Sequence, residues 1–217
     1  MCLPGQQSRQ PQPATAAEAV AMAEAGLSWL AGANATALTC AEQAECLRAL
    51  ERAGSMRTAA RSSILRAFSA AAGYEADGQG SARTWLRWQT RVSTGAAAAA
   101  MAWARRLAAH RAVYEALAAG TVTESFARQI CEWSDVLPEA HRAGADAILL
   151  AAAAGGAELA DLAALAQEIR QRTASPDAHG DEDGFAGRRV RLETRRQRDH
   201  DAMEEAWPIL AASSARR

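Results

Sequence analysis

The sequence predicts an all-α fold, an Ala-rich multi-helix bundle with at most one short C-terminal strand. Three observations predict it. Alanine, the strongest helix former, supplies 58 of 217 residues, whereas Val, Ile and Thr are sparse. Apolar residues recur at helical spacing, as in Phe126, Ile130, Trp133 and Leu137 at i, i+4, i+7 and i+11. Thr-x-x-Glu sequences recur at Thr15/Glu18, Thr39/Glu42 and Thr121/Glu124. In such a capping box the Thr hydroxyl accepts a first-turn amide while the Glu carboxylate reaches back to the cap.

In chain order, residues 1–14, with Pro4, Pro11 and Pro13, read as a disordered leader. A helical domain is expected over 15–175, with helices at about 15–31, 40–72, 82–92, 94–108, 109–119, 122–137, 139–153 and 157–173. Gly54 marks a candidate break in the second. Loops are expected at 73–80, Gly120, Pro138 and Gly155-Gly156. Residues 176–187 read as an acidic linker, and 188–217 as a short strand-like segment around Val190 and Leu192 followed by a disordered tail. In the 82–92 helix, Trp85, Trp88 and Val92 fall on one face and Arg83, Arg87 and Arg91 on the opposite side at i, i+4 and i+8. The first face is expected to meet the core, the second solvent or phosphate. Residues 106–137 read as a helix–tight turn–helix pair with Gly120 at the joint.

The net charge of −1 hides two larger sums of opposite sign. From Arg48 to Arg111 there are eleven arginines against Glu51, Glu75 and Asp77, a balance of +8. From Ala112 to Ala186 there are four arginines against thirteen acids, a balance of −9. Such a chain is built to meet a polyanion or to pair its own halves. All 24 basic residues are Arg, which also reflects GC-rich coding. Arg57, Arg61, Arg83, Arg87 and Arg91 are the candidate nucleic-acid-binding residues, through the backbone and without sequence preference. Specific readout is disfavoured: the helix opening at Thr94 offers Gly and Ala, and Arg128 and Gln129 sit among Glu124, Glu132 and Asp135.

Cys2, Cys40, Cys46 and Cys131 have no C-x-x-C spacing, so reduced thiols in a cytoplasmic protein are expected. The uncharged run Ala25–Ala41 is too short and too polar to span a membrane, and Glu18 and Glu24 interrupt any signal-like stretch. Within Asp177 to Gly184, Asp181, Asp183 and Gly184 echo a calcium loop, but its first ligand would be His179 and Val190 stands where its final Glu belongs, so a solvated linker is the expected reading. Asp199-His200-Asp201 lies in the tail, and His110 and His141 read as packed or capping. No phosphate loop, dinucleotide fingerprint or G-x-S-x-G is present, so no catalytic residue, metal site or cofactor is expected.

Four stretches carry a family resemblance: Arg105-Arg106-Leu107, residues 116–130 (ALAAGTVTESFARQI), Leu137-Pro138, and the segment Arg188 to Thr194. Through them, residues from about 41 to 193 resemble the actinobacterial domain of unknown function 222, the thirteen-E-twelve repeat family. In that family the helical region commonly precedes a C-terminal HNH nuclease module. The resemblance implies a nucleic-acid context and supplies no catalytic residues for this region. An HNH site needs a His base, a metal-binding His and a positioning Asn. Asn34 is the sole Asn and the four His are widely spaced, so the nuclease motif is absent from this chain. The family-like text ends near Thr194, as a truncation or a shifted reading frame would produce. The expected function is a non-catalytic helical module of an HNH-endonuclease-family protein, truncated, contacting DNA non-specifically through its basic half. The alternative is a protein–protein or self-association module with internally paired charges.

Overall fold

The computed structural model describes residues 13–174, and every regular element among them is helical. They are α1 (Ala16–Gly32), α2 (Cys40–Ala70), α3 (Ala82–Gln89), α4 (Thr94–Ala109), α5 (Arg111–Ala119), α6 (Glu124–Asp135), α7 (Glu139–Ala154) and α8 (Leu159–Ala174). Short 3-10 turns at Ala35–Ala37 and Gly73–Asp77 flank α2. The all-α expectation holds among these residues. None of their helices is long and apolar enough to cross a membrane. The leader up to Gln12, the acidic linker, the strand-like Val190–Leu192 and the tail lie outside the described residues. So do the Asp177–Asp183 and Asp199–Asp201 groups.

Side-chain oxygens set most helix starts. Thr39 and Glu42 form the complete capping box, the Thr39 hydroxyl accepting from the Glu42 amide and the Glu42 carboxylate accepting from the Thr39 amide. Thr15 caps α1, but Glu18 accepts from the Ala14 amide instead. The third box is displaced. Thr123 caps α6, while the Thr121 hydroxyl donates to the Ala116 carbonyl and Glu124 turns toward Thr58 and Arg128. Helix α2 runs unbroken through Gly54, where there is open space for a side chain. Gly120 joins α5 to α6 in the left-handed region at φ 68°, and a Cβ there would lie 2.9 Å from the Met56 side chain.

Helix α3 ends at Gln89, short of the expected Val92. The Thr90 hydroxyl donates to the Leu86 carbonyl, and Arg91 then takes φ 57°, the left-handed position that usually terminates a helix with glycine. Arg91 therefore does not continue the Arg83–Arg87 row. Its strain yields a prediction: Arg91→Gly raises unfolding free energy by up to about 1 kcal/mol. Ala72→Gly, at the other strained non-glycine (φ 51°), gains a similar amount, as chemical denaturation would show. A loss of stability in Arg91→Gly would mean that the Arg91 side chain contributes more than its backbone costs.

Two cores share α2 and α4. The larger gathers Trp103 and Leu107 of α4, Val113 and Leu117 of α5, Ile130 of α6 and Leu149 of α7, with α8 adding Leu162 and Ile169. The smaller joins Leu65 of α2, Ala82 and Leu86 of α3, and Ala97 and Ala104 of α4. Alanine at these contacts lets helix axes approach closely, so a chain poor in large aliphatics still encloses a core. In α1 no residue is buried.

Candidate nucleic-acid interface

Within the core, the charge is balanced and held tightly. His110 is completely buried at the joint between α4 and α5. Its Nδ1 lies 2.8 Å from Asp146 Oδ2 and its Nε2 2.9 Å from Asp135 Oδ1. Asp135 closes α6 and also takes the Arg106 guanidinium at 2.8 Å. Asp146 is buried in α7, its other oxygen without a hydrogen-bond partner. A hydrogen bond to Asp146, aided by the neighbouring Cys131 and by Asp135, outweighs burial and raises the His110 pKa to about 10. The imidazolium donates from both nitrogens and ties the α4–α5 joint to α6 and α7.

Cys131, His110 and Asp146 have the residue types of a cysteine-nucleophile triad, and the geometry speaks against that chemistry. Burial pushes the Cys131 thiol up, whereas a nucleophile needs it lowered. Both imidazole nitrogens are engaged by carboxylates, leaving no lone pair for a thiol proton. Cys131 and His110 are completely enclosed, with no path for a substrate. Among the described residues no three His, Cys, Asp or Glu side chains converge to hold a metal ion.

The outer surface shows the reverse pattern. Arg57, Arg61, Arg83, Arg87 and Arg91 are all exposed. Seven salt bridges form among the described residues, and they engage Arg48, Arg52, Arg106, Arg111, Arg128 and His110. None of the five candidate arginines is among them. Among the described residues, the salt bridges between the basic and acidic halves are those of Arg106 and His110, which meet Asp135 and Asp146, and of Arg111, which meets Glu115 within α5.

Arg57 and Arg61 project from α2 onto a cavity of about 490 Å³ floored by Leu65, Leu86 and Trp103 and edged by Thr90 and Val92. Arg128 lines it too, its guanidinium 4.5 Å from the Trp103 ring centroid. That charge is already met. Burial alone would raise the Glu124 carboxyl, but the Thr58 hydroxyl, Arg128 and, more weakly, the charge of Arg57 hold it lowered, so a carboxylate faces the Arg128 guanidinium. A second depression of about 240 Å³ is lined by Arg87, Trp88, Arg91, Val92, Ser93 and Thr94. The two depressions share Val92 as a lining residue. Arg83, one turn before Arg87 on α3, lines a different depression with Arg105, Tyr74 and Met101. That depression meets α4 at Ala98, Met101 and Arg105, about half a turn around the helix from Ala96, Ala99 and Trp103.

Trp88 is the residue whose place periodicity mispredicts. Buried Ala82 and Leu86 set the core stripe of α3, and the Trp85 ring packs 4.7 Å from Phe68 while its Nε1 donates to Asp77 at 2.6 Å. Trp88, one turn on from Trp85, is left 58 % exposed. Val92 lies beyond the shortened helix yet packs with Trp85 against the smaller core, as expected. His110, expected as packed or capping, is packed. Its partners could have been found from Asp146, an acid on the α7 face that carries Ala145 and Leu149.

No family model, curated protein or solved structure matches this chain.

Proposed function

We propose that this chain is a non-catalytic helical module that holds nucleic acid by its phosphates, with Arg57, Arg61, Arg87 and Arg91 as the contacting cations. One observation carries the reading: four exposed guanidinia border two adjoining depressions and form no salt bridge among the described residues, Arg57 alone acting on a carboxylate, that of Glu124, from beyond salt-bridge distance. Unpaired arginines along a groove favour a polyanion, and each phosphate contact releases condensed counterions. The alanines that follow Gly95 in α4 offer no hydrogen-bonding groups to base edges, so the contact is blind to sequence. The resemblance to the helical region that accompanies HNH nucleases supports the same reading. With about four phosphate contacts, log K on duplex DNA falls against log salt with a slope of roughly −3 to −4. Absence of binding at low salt defeats the proposal.

A second reading, self-association, is favoured by α1. Its Val20, Met22, Leu27, Trp29 and Leu30 are exposed, Trp29 by 72 %. A helix of this length without packing is marginal in water, so this apolar surface calls for a partner, here a second copy. Sedimentation should then show a concentration-dependent dimer that Leu27→Glu with Trp29→Glu abolishes. A monomer at all concentrations counts against it.

A further inference from the structure

We infer that the nucleic acid taken by this surface is single-stranded, with Trp88 as the platform on which an unpaired base stacks. The inference rests on the phosphate-binding reading above and adds what the aromatic side chain selects. Among the described residues Trp88 is the most exposed large apolar side chain outside α1 and α2 apart from Val136, and it lines a depression with Arg87 and Arg91. It has no ring contact, cation–π contact or hydrogen bond among the described residues, whereas Trp85 on the same helix has both a ring partner and a carboxylate. Arg87 and Arg91 line the same depression, and the larger cavity with Arg57 and Arg61 adjoins it.

Base faces in a duplex are occupied by their neighbours, so an exposed indole gains little from double-stranded DNA. An unpaired base offers a free π-face to the ring while its flanking phosphates reach arginines on either side. Stacking of this kind tolerates any base. The apolar floor of Leu65, Leu86 and Trp103 next to the guanidinia also suits unstacked bases more than a duplex backbone, which presents sugars and phosphates alone.

The test titrates short fluorescent oligo(dT), oligo(U) and a duplex of the same length into the full chain at low salt, following anisotropy and tryptophan emission. At least one single strand should bind more tightly than the duplex and quench the emission. Trp88→Ala should weaken that strand about five- to a hundredfold, the range alanine substitution gives for one stacked base, and change duplex binding less than about twofold. Trp88→Phe, which keeps a smaller ring, should recover part of the loss, and unchanged circular dichroism shows that the variants fold. Equal affinity for strand and duplex, or a single-strand affinity indifferent to Trp88→Ala, overturns this inference and leaves the phosphate reading standing. Binding to none of the three defeats both.

Discussion

His110→Ala should destabilise the protein by about 3–5 kcal/mol, the usual cost of removing one partner from a buried ion pair. The loss is large because Asp146 is itself buried and would be left charged without a donor, its second oxygen already lacking one. Against a typical total of about 5–15 kcal/mol, the variant should be unfolded in part at room temperature. Replacing both residues together, His110→Leu with Asp146→Leu, removes the uncompensated charge and should recover much of the deficit, because an apolar pair of similar volume often matches a buried ion pair. Asp135 keeps Arg106 in either case. A cost below about 1 kcal/mol for His110→Ala would mean that the cluster contributes no net support.

The same group gives stability a pH signature. His110 has its pKa raised from 6.5 to about 10 on folding, so its contribution is fully present below pH 6.5 and is lost as pH rises through about 10. Cys131, whose thiol is pushed up by burial, loses stability in the same direction, so the wild-type slope sums the two. In His110→Ala the histidine's part of the fall between pH 6.5 and 10 should vanish, while Cys131, whose thiol His110 partly lowers, keeps a fall of its own.

Helices were legible because their signals are local. Alanine content, period and Thr-based caps depend on neighbours a few residues apart, and α4, α7 and α8 begin or end within about two residues of expectation. Misplaced features depend on groups distant in sequence or on backbone strain. Thr123 displaced Thr121 as the α6 cap because Glu124 is drawn to Thr58, 66 residues earlier. Arg91 looked like a third step on a helical row, and its left-handed backbone is invisible to a period count. Trp88 was expected in the core because hydrophobicity was read from the residue, whereas the core stripe of this short helix is set by Ala82 and Leu86. The charge asymmetry was visible in sequence, but which cations are spent was not. Arg106 and Arg128 form salt bridges, and Arg57, Arg61, Arg87 and Arg91 form none among the described residues.

That division of the arginines is the central claim, and one comparison tests it most directly. The salt dependence of binding to oligo(dT) and to duplex DNA is measured for wild type, for the Arg57→Ala, Arg61→Ala, Arg87→Ala, Arg91→Ala quadruple variant, and for Arg83→Ala with Arg105→Ala, the pair on the separate depression. Each phosphate contact contributes about −0.9 to the slope on duplex and about −0.7 on a single strand. The quadruple variant should therefore flatten the duplex slope by about 3 to 4 and the single-strand slope by about 3, with affinity at low salt nearly abolished. Arg83→Ala with Arg105→Ala should stay within about one unit of wild type, a single contact's worth. Equal losses in the two variants, or a quadruple variant that keeps the wild-type slope while folded, would contradict the account.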